Sequence, residues 1–166
     1  SFDTVDISEA DFVAACRSHN SQSSLCFYHC VRAWALYLHG HYAAARESIE
    51  QAASTVHFIA SYVTEADVRY LHSLIYIALD DTLPRPAIMD RVDSNQALLK
   101  RWTQHCPDNF RHKHALVEAE RARLEQRVGD ALSLYEVAIA QAAQGGFIHD
   151  EALANELACR FWMARG

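Results

Sequence analysis

Three cysteine and histidine side chains lie close together near the start of the chain and could hold a metal ion. Cys26 and Cys30 are four residues apart with His29 beside them, so on a helix the two thiols would share one face. No second Cys/His pair in the sequence has comparable spacing, and the neighbouring residues are apolar. We therefore interpret both cysteines as small core residues and predict no metal site, with a zinc site as the alternative.

Two further segments have side chains suited to anion binding or acid–base chemistry. His112 and His114 flank Lys113 near an expected helix start, where backbone N–H groups can bind an anion. Against that reading, we interpret these residues as solvated side chains at a helix start. Asp150 and Glu151 follow His149, but acidic residues in the first turn of a helix also complement its dipole. We predict no catalytic role for them.

Short motifs that enzymes use are missing from the sequence. There is no phosphate-binding Gly-x-x-x-x-Gly-Lys-Ser/Thr loop and none of the protein-kinase motifs. A Gly-x-Ser-x-Gly nucleophile turn and a His-Glu-x-x-His metal helix are also missing. We therefore predict that this segment is not an enzyme and that it has no catalytic, cofactor-binding or metal-binding residues and no cofactor.

The composition indicates a helical protein with a sizeable core. Of the 166 residues, 51% are hydrophobic and 22% are charged, whereas only five are Gly and three are Pro. So few turn-forming residues argue against a sandwich or barrel of many short strands. An odd number of cysteines, five at irregular spacing, is typical of reduced thiols and not of a disulfide framework.

Charge and hydropathy limit the partners that we expect. The formal charge of −6 repels phosphate backbones, so we predict no binding to nucleic acid. No apolar run reaches the roughly 18 residues of a membrane span, and no signal peptide opens the chain. We expect a soluble, cytoplasmic protein with no membrane partner. Because no initiator Met is present, we also expect an excerpt of a longer protein.

Apolar residues recur every three or four positions between Gly or Pro breaks, which predicts helices throughout. We expect residues 1–7 to be extended and a short helix, capped by Ser8, to run through Arg17. About seven helices should follow: 25–39, 42–56, 66–77, about 87–105, about 110–127, one from just after Asp130 to Gly145, and one with its seam at Ala154, Leu157, Phe161 and Ala164. We expect Pro84 and Pro86 to break the chain before the fourth helix and Pro107 to end it. Trp34, Trp102 and Trp162 fall on seams, which favours core packing.

The spacing of small and bulky residues resembles that of tetratricopeptide repeats. In this pattern a small residue lies midway along the first helix of a hairpin. A small, a bulky and another small residue then follow in that order along the second helix. Two hairpins match it, with Ala33, Gly40, Tyr42, Ala45, Ile49 and Ala52 in the first and Ala119, Ala131, Tyr135 and Ala138 in the second. We predict a single all-α domain over residues 1–166, a tetratricopeptide-like α-solenoid of stacked antiparallel helix pairs, with unrelated antiparallel helices as the alternative.

Longer stretches resemble the helical-repeat region of one group of very large signalling proteins. The most specific are 102–114 (WTQHCPDNFRHKH), 131–140 (ALSLYEVAIA) and 145–158 (GGFIHDEALANELA), and residues 27–45 are similar as well. Proteins of that group combine a serine/threonine-kinase-like domain, a STAND-type AAA ATPase, the helical repeat, a GAF domain and a histidine kinase. The resemblance implies a segment that couples the ATPase to the kinase output.

Three functional hypotheses follow. The first is a non-catalytic protein-interaction module in two-component signal transduction. It would bind a protein or neighbouring domains of its own chain, and homo-oligomers could form through the parent. The second is a ligand-sensing helical repeat of a LuxR-type STAND transcription regulator. The third, a small α-helical enzyme, requires a cleft with clustered titratable groups. For the first hypothesis, we expect exposed positions of the fifth helix, such as Arg123, to line a concave binding surface.

Overall fold

The computed structural model describes residues 7–165 and confirms the all-α fold, since no strand occurs among them. Of the segment expected to be extended, residues 1–6 lie outside the described range. The eight α-helices are α1 (Glu9–Ser18), α2 (Gln22–Leu38), α3 (Tyr42–Thr55), α4 (Val63–Ala78), α5 (Arg85–His105), α6 (Pro107–Leu124), α7 (Val128–Gly145) and α8 (Ile148–Met163), with a 3₁₀ turn at Val56–Ile59. The short first helix and the seven predicted after it are all present.

Local signals in the sequence account for several helix ends. The Ser8 side chain accepts a hydrogen bond from the backbone N–H of Asp11 at 3.1 Å and so caps α1, as predicted. At the other end of the chain, Gly146 adopts a left-handed conformation with φ of +72° directly after α7. Glycine is the residue that takes this conformation at least cost, and it ends the helix where the Gly-Gly pair predicted.

The predicted proline breaks are confirmed: α4 ends before Pro84 and Pro86, and α5 ends at His105, just before Pro107. The next helices start slightly earlier than expected, since α5 begins at Arg85 with Pro86 in its first turn and α6 begins at Pro107. The first backbone N–H groups of a helix have no partner within it, so a proline there loses no hydrogen bond.

Chain contacts divide the protein into two compact units, with the boundary between Leu71 and His72 inside α4. In the first unit α2 packs against α3 as the predicted hairpin. Its contact is lined by residues with essentially no exposed surface, among them Ala33, Ala45, Ile49 and Ala52. The alanines let the two backbones approach closely, and Ile49 fills the space between them.

In the second unit α5 packs on α6, α6 on α7 and α7 on α8, and α8 also touches α6. The small residues at the contacts are buried, including Ala119, Ala122, Ala131, Ala138 and Ala142. Polar Asn95 occupies a seam position of α5 and is fully buried, where its side-chain amide donates to the Ser73 hydroxyl at 3.2 Å. The stacking of neighbouring helices within each unit confirms the helical-repeat class of fold.

The predicted core position of Trp162 is wrong. Trp162 is 57% exposed and Ala164 is exposed as well, whereas Phe161 is 1% exposed. Successive residues of an α-helix point about 100° apart, so the turn that buries Phe161 against Tyr135 directs Trp162 to the surface. Trp34 and Trp102 are partly buried. None of the described helices combines the length and the apolarity needed to cross a bilayer.

Candidate functional site

The three residues that could have formed a metal site lie on α2 and are used in packing. The Cys26 thiol is fully buried and donates a hydrogen bond to the backbone carbonyl of Ala52 at 3.3 Å. Burial raises the pKa of Cys26 and lowers that of His29, so neither environment favours a charged side chain. Within residues 7–165, no cluster of three or more His, Cys, Asp or Glu side chains has the geometry to hold a metal ion.

The two other segments singled out by sequence meet in a buried polar cluster in the second unit. Nζ of Lys113 donates to Oδ2 of Asp150 at 2.6 Å, and Nε2 of His112 lies 2.9 Å from the same oxygen. The ring of Phe147 stacks on His112 with centroids 4.3 Å apart. All three polar residues are buried, so the interpretation of His112 and Lys113 as solvated is wrong. The anion that His112 and Lys113 of α6 contact is the Asp150 carboxylate of the same chain.

Two positively polarised donors keep Asp150 ionised. Burial alone raises the pKa of its carboxyl group, but the hydrogen bond from His112 and the charge of Lys113 outweigh burial and place it below the usual value. The cluster joins α6 to the first turn of α8, where a carboxylate also complements the helix dipole. Its chemistry is that of a buried ion pair between helices. His149 is exposed and takes no part in it.

This cluster predicts that the protein loses stability in acid. The folded pKa of Asp150 is depressed, so its contribution is present above the unfolded pKa, about 3.9, and is lost as pH falls through the folded value. We expect urea unfolding between pH 6 and pH 3 to show a smaller loss of unfolding free energy in Asp150→Asn than in wild type. Equal losses in the two proteins would contradict the ionic role of Asp150.

A second buried network connects α6 to α7. The Tyr135 hydroxyl donates to one carboxylate oxygen of Glu120, and Nε of Arg123 donates to the other at 3.0 Å. Arg123 also lies 3.9 Å from Asp80. Burial lowers the pKa of the Arg123 guanidinium, but the facing carboxylates outweigh burial and raise it. The expectation that Arg123 is an exposed position on a binding surface is wrong, because only 29% of its side chain is accessible.

An apolar groove in the first unit lies where α1 crosses α2. It has a volume of about 450 Å³ and is lined by Phe12, Ser24, Phe27, Tyr28 and Val31. The rings of Phe12 and Tyr28 lie 5.9 Å apart across it. Two contacts of Glu9 hold the floor of the groove in place. Its carboxylate accepts a hydrogen bond from the Tyr28 hydroxyl, and Nε of Arg32 lies 3.2 Å from the same carboxylate oxygen. Burial and the Glu9 carboxylate raise the pKa of Tyr28 to about 12, so its hydroxyl stays protonated.

The rim of this groove is apolar and open. Val31 is 58% exposed and Tyr62 is 63% exposed. The ring centroid of Tyr62 lies 6.0 Å from that of Phe27, in an edge-on contact. Apolar side chains grouped at the surface are typical of sites that bind another protein. The arrangement suits the burial of apolar side chains from a partner.

The groove was not predicted from the sequence. Val31 is one of many apolar residues of α2, and only the packing of the neighbouring helices leaves it 58% exposed. No family model, no curated protein and no solved structure matches the chain.

Proposed function

We propose that this chain is a non-catalytic protein-interaction module, and that in its parent protein it couples a signalling ATPase to a histidine kinase in the cytoplasm. The observation that carries the proposal is the apolar groove between α1 and α2, with Val31 and Tyr62 exposed on its rim. The resemblance of residues 102–158 to the repeat region of ATPase–histidine kinase proteins suggests which parent the module serves.

The groove favours an apolar segment of a protein as its occupant. Its lining contains aromatic and aliphatic side chains and a single serine, and no charged residue is among them. Burying one large apolar side chain contributes about 1.5–3 kcal/mol. Two or three such side chains on an amphipathic helix or loop of a neighbouring domain would suffice for a reversible contact.

The polar clusters of the second unit support a non-catalytic role. The Asp150 carboxylate accepts a hydrogen bond from Lys113 and lies against His112. The Glu120 carboxylate accepts hydrogen bonds from Tyr135 and Arg123. Both carboxylates are buried and are bonded by side chains of the same protein, as in structural networks. A module without chemistry acts on a kinase only by binding one state of the parent more tightly than the other.

A ligand-sensing repeat of a LuxR-type STAND regulator is the alternative, and the size of the groove favours it as a second candidate. A volume of about 450 Å³ lies within the range of roughly 300–1,000 Å³ that small-molecule sites occupy. In that case the occupant would be a small apolar molecule, and the output would be transcription.

The test compares signal-dependent autophosphorylation of the full-length parent in four forms: wild type, a deletion of residues 1–166, Val31→Gln and the control Leu38→Gln. Leu38 lies on the same helix and is 56% exposed, but it does not line the groove. Both substitutions replace an exposed apolar residue by a polar one, so the fold should change in stability by no more than about 0.5 kcal/mol.

We expect the deletion and Val31→Gln to reduce the response to signal several-fold and Leu38→Gln to leave it unchanged. Unchanged signalling after the deletion would make the segment a spacer and end the regulatory proposal. A normal response in Val31→Gln together with a lost response in the deletion would move the binding surface away from the groove.

A further inference from the structure

The positive charges of the second unit differ in whether the protein itself neutralises them. A carboxylate lies at ion-pair distance from each of four arginines: Arg121, Arg123, Arg127 and Arg160. By contrast, Lys100, Arg101 and Arg111 are exposed. In the described part of the chain, no carboxylate pairs with any of these three residues. We call them the basic corner.

The α5–α6 hairpin brings the basic corner together. Cys106 alone separates the two helices, and the ring centroids of Trp102 and Phe110 lie 5.9 Å apart across the hairpin. The two members of the corner on α5 directly precede Trp102, and the member on α6 directly follows Phe110. In two antiparallel helices with this register, the three positions lie at the same level. The corner is therefore a single patch at the closed end of the hairpin.

The positive charge of this patch is not offset locally. Within residues 94–117, Asp108 is the single carboxylate, although the whole chain has a formal charge of −6. Asp108 is exposed, and no cation in the described part of the chain pairs with it. Burial lowers the pKa of His114 on α6, Glu118 opposes this shift, and the charge of Lys100 adds to it. The field of the corner thus reaches neighbouring groups on α6.

The fold alone does not account for all three cations. A cation complements the dipole near the C-terminal end of a helix, which suits the two members of the corner on α5. Arg111 lies in the second turn of α6, close to the end of a helix that favours anions. Its charge has no partner in the described structure that would offset this position. An exposed cation of this kind is available to a partner.

We propose that the basic corner binds an acidic segment of a protein, in which two or three Asp or Glu carboxylates meet the three cations. Each of the two arginines can donate two parallel N–H bonds to one carboxylate, and the lysine binds another as a point charge. A single exposed ion pair contributes little, so the contact is reversible and weakens as salt rises. This site lies in the second unit and goes beyond the proposed function, which rests on the groove of α1 and α2.

The number of cations favours a short acidic segment over nucleic acid. Proteins that bind duplex DNA typically contact about six to ten phosphates, whereas the corner offers three cations. The formal charge of −6 on the chain repels a long polyanion that extends past the patch. A segment with two or three carboxylates is neutralised at the corner and need not reach further.

The test measures binding of the complete chain to a fluorescent peptide of alternating Glu and Gly residues, capped at both ends. Fluorescence anisotropy is read at about 50 mM and about 200 mM NaCl. A Gln–Gly peptide of the same length and a short single-stranded DNA of matching charge are the other probes. We expect wild type to bind the Glu–Gly peptide and to lose affinity several-fold at the higher salt concentration. Binding of the Gln–Gly peptide should be undetectable.

Two triple variants of equal net charge locate the contact. Lys100→Gln, Arg101→Gln and Arg111→Gln together remove the corner, and we expect them to weaken binding of the Glu–Gly peptide by about tenfold. The matched control replaces three exposed arginines that already pair with carboxylates: Arg46→Gln, Arg127→Gln and Arg160→Gln. It changes the net charge by the same amount but should bind nearly as tightly as wild type. Circular dichroism checks that both variants keep the helical fold.

Four outcomes would overturn the proposal. The first two are no binding of the Glu–Gly peptide by wild type and equal binding of the Gln–Gly peptide. The third is an equal loss of affinity in the two triple variants, which would mean that binding follows net charge and not the corner. The fourth is tighter binding of the single-stranded DNA that is lost when the corner is removed, which would assign the patch to nucleic acid.

Discussion

Replacing Tyr135 with alanine is expected to lower the free energy of unfolding by about 3–5 kcal/mol, the range for truncating a large buried side chain. Tyr135 is 2% exposed, its ring lies 5.5 Å from that of Phe161, and its hydroxyl donates to Glu120. The substitution removes the ring that fills the space between α7 and its neighbours. It also removes the hydrogen bond that α7 donates to the buried Glu120 carboxylate. Urea unfolding followed by circular dichroism measures the loss.

Tyr135→Phe separates the ring from the hydroxyl. It keeps the packing against Phe161 and deletes the hydrogen bond to Glu120, so we expect a smaller loss of about 1–3 kcal/mol, the cost of leaving a buried polar group with one partner fewer. A loss below about 0.5 kcal/mol in Tyr135→Ala, as is typical of surface changes, would place Tyr135 outside the core and would break the register of α7.

Removal of the Asp150 carboxylate should have an effect of similar size. Asp150→Ala takes away the negative charge that lies 2.6 Å from Lys113 and 2.9 Å from His112. Breaking a buried ion pair by removing one partner costs about 3–5 kcal/mol, because the remaining charge stays in a poorly solvated place. We expect unfolding at pH 7 to show a loss in that range.

Asp130→Ala is the matched control. Asp130 also lies in the first turn of a helix and pairs with an arginine, Arg127, but 61% of its side chain is exposed. Exposed pairs contribute about 0–1 kcal/mol, so the control should lose little stability. Similar losses in the two variants would show that Asp150 acts through the helix dipole alone and that its burial with Lys113 is unimportant.

Sequence alone was sufficient for the helices and for most of the core. Spacings of three and four residues placed Ala45, Ile49 and Ala52 on one face, and Ala131, Tyr135 and Ala138 on another, and all six are buried. These predictions succeed because helix periodicity is local: a residue's face follows from its distance along the chain. The proline breaks are equally local signals: α4 ends before Pro84 and α5 ends before Pro107, because a proline is tolerated only in the first turn of a helix.

The polar clusters and the exposed faces were decided by tertiary structure. Lys113 and Asp150 are 37 residues apart, and no periodicity within α6 or α8 indicates that their charges meet; their burial follows from the way the two helices pack together. Likewise, an apolar residue faces solvent or core according to whether another helix covers it. Val31 and Trp162 are apolar in sequence but exposed in the fold, because the neighbouring helices pack on the other sides of α2 and α8.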